Sequence, residues 1–376
     1  MMEDTYISIR TPLVDPTIPK FNNGFDNSEH DLIVCKNDII AINSDIQFSV
    51  IGLLGSGKFG SVYHVINLVD QCQYALKINK SSIELAGTIL NEVKTLMNLS
   101  QNGNERSLGN VVGYFGHFVY RGHICIILEK LSFSLYQVLQ IRKFTGMPLC
   151  YVKIILQDLT NALACFDELD LIHLDIKPEN VLMETPSSVH VKLADVGGAK
   201  HISECENKCS YAITRYYRPP EIVLRTGMSK KSDIWSLACL IAEMYLGTPL
   251  FFVSNELQLL RLIEKRLDLK IPENLIEISP KKEKFYDLND DLLSLAEFCY
   301  QENLDIPIEH NLFKYDKLDD IIRNYPLPPN LSPENRAKEI DNKEKFLDLL
   351  KKMLNPDPKL RFSLQDVCNH PFLTSI

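Results

Sequence analysis

No uninterrupted apolar run in this chain approaches the ~20 residues needed to cross a bilayer. The nearest, Trp235 to Leu246, is broken by Glu243. The first ten residues lack the basic-then-apolar order of a secretion signal. Ten cysteines are scattered without a single C-x-x-C, and only Cys205 and Cys209 lie close together. Two ligands do not make a zinc site, so the expectation is reduced thiols and a cytoplasmic or nuclear setting. An excess of basic charge is also lacking: 40 Lys and Arg face 49 Asp and Glu, a net charge of −9. That balance argues against bulk attraction to nucleic acid or an anionic membrane, though not against a local basic pocket. What is present is 45 % hydrophobic residues over 376 positions, enough for a sizeable core and two to three compact units.

Residues 1–30 are rich in Asp, Asn, Thr and Pro without periodicity and read as a disordered extension. Residues 31–46 form a separate segment ahead of a domain at 47–374. From Gln47 short β-type runs are punctuated by glycine, with Tyr74 to Ile78 and Ile124 to Leu128 suited to strands. Between them Ile83 to Leu99 has helical spacing. After Leu131 the texture is helical, with a stripe at Ile155, Leu159, Leu163, Phe166 and Leu169. Val189, Val191 and Leu193 alternate as in a strand, and Ile234 to Tyr245 is apolar nearly all round, as in a buried helix. Residues 266–342, charged and proline-rich, read as a loop-rich insertion before a last helix marked by Phe346, Leu349, Leu350 and Met353. The expected fold is α+β: a small β-rich lobe at 47–130 and a larger helical lobe at 131–374.

Gly55, Gly57 and Gly60 stand in a G-x-G-x-x-G-x-V run that closes on Val62. Glycines let a backbone approach phosphate oxygens with its amides free to donate. A dinucleotide loop would continue into a helix. Here Val62 to Ile66 reads as a second strand, so a β-hairpin is expected. Lys77 lies inside an apolar strand, where a cation must find an anion or snorkel into solvent. Glu92 on the following helix and nucleotide phosphates are the candidate partners. The sharpest signal is His173-Leu174-Asp175-Ile176-Lys177-Pro178-Glu179-Asn180-Val181-Leu182, followed by a strand ending in Asp195-Val196-Gly197. Phosphoryl transfer needs a base, a cation at the γ-phosphate and oxygen ligands for Mg²⁺. Asp175, Lys177, and Asn180 with Asp195 are residues of those kinds, in that order.

These motifs together resemble the eukaryotic protein kinases, over roughly residues 47–374. The resemblance implies a bilobal kinase-like fold with ATP and Mg²⁺. It implies Asp175 as catalytic base, Lys177 at the transferred phosphate, and Asn180 and Asp195 on the metal. It places Lys77, paired to Glu92, on the α- and β-phosphates. Leu54, Val62, Ala75 and Leu182 would sandwich the adenine. Leu128, Glu129, Lys130 and Leu131 would form the hinge, with Leu128 as gatekeeper. Asp233 would pin the catalytic loop, and Glu221 would pair with Arg361.

The lysine two residues after the base resembles the Ser/Thr class. Thr214-Arg215-Tyr216-Tyr217-Arg218-Pro219-Pro220-Glu221 resembles the CMGC group. The stretches from His117 to Cys125 and from Leu131 to Tyr136 resemble its DYRK (dual-specificity tyrosine-regulated) family, and Asp31 to Val34 with Asn37 to Ile40 resembles the segment ahead of the kinase domain in that family's yeast-type branch. The implied activity is phosphorylation of Ser and Thr on protein substrates, with autophosphorylation of Tyr211. Arg215 and Arg218 would then clasp the phosphotyrosine. Leu174, where an arginine often precedes the base, and Val196, where a phenylalanine is usual, depart from the kinase pattern. They are the support for the rival reading, a catalytically impaired scaffold. No direct nucleic-acid or membrane partner is expected, and the chain is expected to be a monomer.

Overall fold

The computed structural model describes residues 11–44, 46–104, 108–205, 213–307 and 311–375. The chain divides into two compact units, Met1–Asn102 with Val112–Leu131 and Gly103–Val111 with Ser132–Ile376. The first is β-rich and the second mainly helical, the expected α+β composition.

The first unit is built on an antiparallel sheet of six strands: β1 (Ile39–Ala41), β2 (Gln47–Gly57), β3 (Gly60–Asn67), β4 (Gln73–Asn79), β5 (Tyr114–Tyr120) and β6 (His123–Glu129). Their spatial order is β1-β2-β3-β4-β6-β5. The glycine-rich run is a hairpin, with Gly57 opposite Gly60 and Gly55 opposite Val62. At Gly60, φ is +152° and a Cβ would collide with Ile78 O, so only glycine fits. Register puts Val62 beside Lys77 and Ala75 beside Leu128. With side chains alternating along each strand, these four share one face of the sheet. The opposite face carries Tyr63, Val65, Leu76, Ile78 and Cys125, which join Phe48, Val50 and Phe118 in a buried cluster.

That cluster includes Val14, Leu32, Val34 and Ile40. Residues 11–30, expected to be disordered, are instead folded within this unit; residues 1–10 lie outside the described residues. The segment is held by polar devices that carry no period. Asn27 Oδ1 accepts from the amides of Glu29 and Asp31, and Asp26 and Asn27 are fully buried. The helix expected over Ile83 to Leu99 runs Ile83–Asn102 and buries Ile89, Val93, Leu96 and Leu99.

In the second unit the helix Lys230–Leu246 is buried on every side from Ser232 onward. It starts at a capping box on Ser229 and stops at Gly247, where φ is +84° and a Cβ would collide with Phe144 O. The helix Leu149–Glu168 packs beside it with Ile155, Leu159, Leu163 and Phe166 buried. By length and mean hydropathy that helix is apolar enough to cross a membrane, though Lys153 and Asp158 interrupt its apolar run; its apolar stripe belongs to this unit's core. The expected strand is shorter than read, Val191–Leu193, paired with Val181–Met183 and leaving Val189 outside.

Residues 266–342 are also less loop-rich than expected. They hold the helices Glu273–Glu277, Lys282–Phe285, Leu295–Gln301 and Leu318–Asn324, and the last long helix already begins at Pro333. Pieces of four to seven residues are too short to display a 3.6-residue period, yet Phe285, Phe298, Leu318 and Ile322 are buried. No disulfide forms among the described cysteines.

Candidate active site

In the first unit, Lys77 Nζ and Glu92 Oε1 are 2.5 Å apart, with both residues buried. The strand supplies the lysine and the helix Ile83–Asn102 the carboxylate, so the pair joins helix to sheet. Ala75 is buried, Val62 and Leu128 half-buried, and Leu54 exposed at a bulge in β2. Glu129 closes a small loop by exchanging bonds with Gly113, donating its amide to Gly113 O and accepting from Gly113 N. Lys130 is half-buried and Leu131 buried at the unit's end. A Cβ at Gly55 or Gly57 would meet no protein atom, so no packing inside this chain demands glycine there.

In the second unit, Asp233 at the start of the buried helix accepts from His173 N at 2.7 Å and Leu174 N at 2.9 Å. Its carboxyl is raised from the ordinary value by burial, opposed by His173 and these two amides. The clamp holds Leu174 at φ +64°, a strained setting for a leucine whose side chain is fully buried. His173 Nδ1 accepts from Asp175 N while Nε2 donates to Ala194 O, which ties the loop to the strand leading to Asp195.

Three donors converge on Asp175. Lys177 Nζ reaches Oδ2 at 2.6 Å, Asn180 Nδ2 reaches the same oxygen at 2.9 Å, and Thr214 Oγ1 donates to Oδ1 at 3.0 Å. Asn180 Nδ2 also donates to Asp175 O, so the amide oxygen is the end of that side chain suited to a cation. Ala194 N donates to Asn180 O, which makes Asn180 a neighbour of the strand end at Asp195. Asp195 sits at φ +57° ahead of a 3₁₀ turn over Val196–Gly198, and Val196 is buried despite its small size. Among the described residues no three His, Cys, Asp or Glu gather as a metal cluster. One carboxylate and one amide oxygen are hard ligands that suit Mg²⁺ shared with phosphate oxygens. Leu182 is half-buried in the strand beside Lys192.

Glu221 and Arg361 form a buried two-pronged pair at 2.7 and 2.9 Å. Tyr211 lies outside the described residues, and the two arginines expected to clasp it have other partners. Arg215 Nη1 donates to Ser254 O at 2.6 Å, and Arg218 bonds Ile213 O and Glu256 Oε1.

Sequence reasoning missed two relationships here. Thr214 bonds Asp175 directly, although 39 residues separate them. Asp158, buried in the helix Leu149–Glu168, accepts from Val191 N and so anchors the strand before Asp195. Neither has a local signature.

Comparison with known proteins agrees with this geometry. The protein kinase domain model matches residues 48–373. The dual specificity protein kinase YAK1 of Saccharomyces cerevisiae is 32 % identical over 99 % of this chain and 48 % of its own length. The serine/threonine-protein kinase ppk15 of Schizosaccharomyces pombe is 30 % identical over 97 % of this chain and 69 % of its own. Homeodomain-interacting protein kinase 2 of Mus musculus is 32 % identical over 93 % of this chain and 29 % of its own. The chain thus spans about half the length of the yeast relative. It belongs to the protein kinase family, with its similarity running to the Yak1 kinases of the DYRK group.

Proposed function

We propose that this chain is an ATP- and Mg²⁺-dependent kinase that phosphorylates Ser and Thr of protein substrates. The observation that carries this reading is the convergence of Lys177, Asn180 and Thr214 on the Asp175 carboxylate. Three donors fix both oxygens of one base, which is the preorganisation that removing a proton from a substrate hydroxyl requires. Lys177, on that carboxylate in this structure, is the cation for the transferred phosphate. Lys77, positioned by Glu92, is the cation for the non-transferred phosphates, and Gly55 and Gly57 leave backbone open to them. Leu54, Val62, Ala75, Leu128 and Leu182 are the apolar contacts for adenine, with Glu129 to Leu131 as hinge. Asn180 and Asp195 would hold Mg²⁺, which when bound neutralises charge on the phosphates.

Incubation of wild type and Asp175→Ala with ATP, Mg²⁺ and a Ser/Thr peptide tests this. Wild type transfers phosphate and the variant loses at least about a hundredfold in rate. Equal rates in the two proteins would leave the impaired scaffold as the better reading.

Autophosphorylation of Tyr211 is the finer part of the proposal, supported by the dual-specificity names of the YAK1 relatives. A phosphate there would compete with Ser254 O for Arg215 and with Glu256 for Arg218. Phosphosite mapping finds phospho-Tyr211 in wild type and none in Asp175→Ala made alongside it. Proline after the acceptor is the expected substrate preference, and the exposed Glu179 suits an upstream arginine. Equal phosphorylation of Pro and Ala peptides in an array would remove the first. A monomer in the cytoplasm or nucleus completes the reading, tested by light scattering and fractionation.

A further inference from the structure

On the second unit a cavity of about 370 Å³ lies against the helix Glu256–Leu267. Its wall is apolar at Phe252 and Leu295 and cationic at Arg261, Lys265 and Arg266, with one carboxylate among the described residues, Asp316. Among the described residues, three cations against one carboxylate reverse the acidic balance of the whole chain.

The cations differ in how they are satisfied. Lys265 Nζ pairs with Asp316 Oδ1 at 2.9 Å, both about half exposed. Arg261 Nη1 donates to Leu293 O at 2.6 Å. Arg266 is only 5 % exposed, and its hydrogen bond is a long one, from Nη1 to Asp316 O at 3.4 Å. Its guanidinium lies 4.7 Å over the Phe313 ring, and its buried Nε has no acceptor among the described residues. Burial pushes its pKa down to about 10, with Asp316 opposing. Lys265 and Arg266 complete the last turn of their helix, where cations complement the backbone dipole. That explains why the positions are basic. It does not explain a desolvated donor without a partner, which natural structures avoid. An anion entering the cavity would meet Arg261, Lys265 and Arg266 together, and a guanidinium fork matches phosphate or carboxylate oxygens.

The cavity also borders the segment that reaches the base. Ser254 in its wall accepts from Arg215, the Phe252 ring is 5.1 Å from Tyr216, and the preceding Thr214 bonds Asp175.

We propose that this cavity docks an anionic side chain of a protein substrate, a phosphoserine, phosphothreonine or carboxylate, together with an apolar neighbour that packs on Phe252 and Leu295. That the docked peptide is a substrate rests on the kinase reading; the docking itself does not. Binding is therefore measured by fluorescence anisotropy on the full chain carrying Asp175→Ala, which needs no turnover. The probes are a short labelled peptide with leucine beside phosphoserine, its serine twin and its glutamate twin.

The phosphoserine peptide binds at least about tenfold more tightly than the serine peptide, with glutamate in between. Lys265→Glu, a reversal at an exposed position, abolishes that preference, and so does Arg266→Met in protein shown by circular dichroism to be folded. Equal binding of the phosphoserine and serine peptides overturns the proposal, as does a preference that survives Lys265→Glu. Inorganic phosphate competing as well as the phosphopeptide reduces the cavity to a bare anion hole and also overturns it. In active wild type, a substrate carrying the phosphoserine has a lower KM than its serine twin. A wild type with no activity at all would sink the kinase reading while leaving the anisotropy result standing.

Discussion

His123 Nε2 lies 2.8 Å from Asp26 Oδ1, although the two residues are 97 positions apart in the chain, and both side chains are sealed from solvent. The other ring nitrogen faces Asn79 O, which can only accept, so Nδ1 carries a proton and donates it. Asp26 also accepts from Ser81 Oγ at 2.6 Å and from Asn22 Nδ2. This node fastens the segment ahead of the sheet to the end of β4 and the β5–β6 hairpin. Asp26→Ala leaves the buried Nε2 of His123 without its partner and should cost about 3–5 kcal/mol. Pairing it with His123→Leu should return much of that loss. Urea unfolding decides the matter, and a single variant within about 0.5 kcal/mol of wild type would show the node to be incidental.

Thr214 is the donor to Asp175 that lies farthest away in the chain. Thr214→Val removes a hydrogen bond to a carboxylate, worth about 1.5–3 kcal/mol. If that orientation is needed only as the proton moves, kcat falls about 10- to 100-fold with little change in KM for ATP. Thr214→Ser, which keeps the hydroxyl, retains most of the rate. Steady-state kinetics on a peptide substrate give the answer, and a Val variant as fast as wild type contradicts it.

Burial raises the Glu243 carboxyl from 4.5 to about 7, with Glu179 adding to the rise and the Tyr217 hydroxyl, 2.7 Å away, opposing it. Between about pH 4.5 and 7 the folded protein therefore keeps a proton that the unfolded chain has released. Stability falls as pH rises across that window and levels off above it, by roughly 3 kcal/mol at about 1.4 kcal/mol per tenfold change in proton affinity. Glu243→Gln stays neutral throughout. It should be more stable than wild type near about pH 8, with the gap closing near about pH 5. Parallel pH profiles of unfolding free energy for the two proteins would rule this out.

Arg361 is 1 % exposed and places its guanidinium 5.0 Å over Trp235 while forking onto Glu221. Glu221→Ala strands that cation in the core and should destabilise by about 3–5 kcal/mol. Glu221→Leu combined with Arg361→Met should recover most of the loss, because the pair then no longer needs desolvating. Thermal melts of the three proteins suffice. A double variant no better than Glu221→Ala would mean that packing around the fork, not its charge, is what matters.

The hairpin at Gly55 to Val62, the helix after Ser82 and the buried helix after Ser229 were legible because each repeats a local period or carries its own cap. The base, its lysine and Asn180 were legible because they stand within six consecutive residues, with Asp195 close behind. Residues 11–30 were misread for the opposite reason. Their order depends on Asn27 turns and one buried contact to His123, and composition registers neither. The expected clasp of Arg215 and Arg218 on Tyr211 did not foresee Ser254 and Glu256, which follow more than thirty residues later.

The sequence by itself determined the elements and the reacting groups, since helix and strand periods and a phosphate-handling motif are properties of neighbouring residues. Only the tertiary structure decided which charges are desolvated. That Glu243 prefers its proton, that Asp26 is enclosed against His123, and that Arg266 Nε has no acceptor among the described residues follow from what distant segments place around each group. The free energy of a charge is set by the medium within a few ångströms of it, and folding builds that medium from residues far apart in the chain.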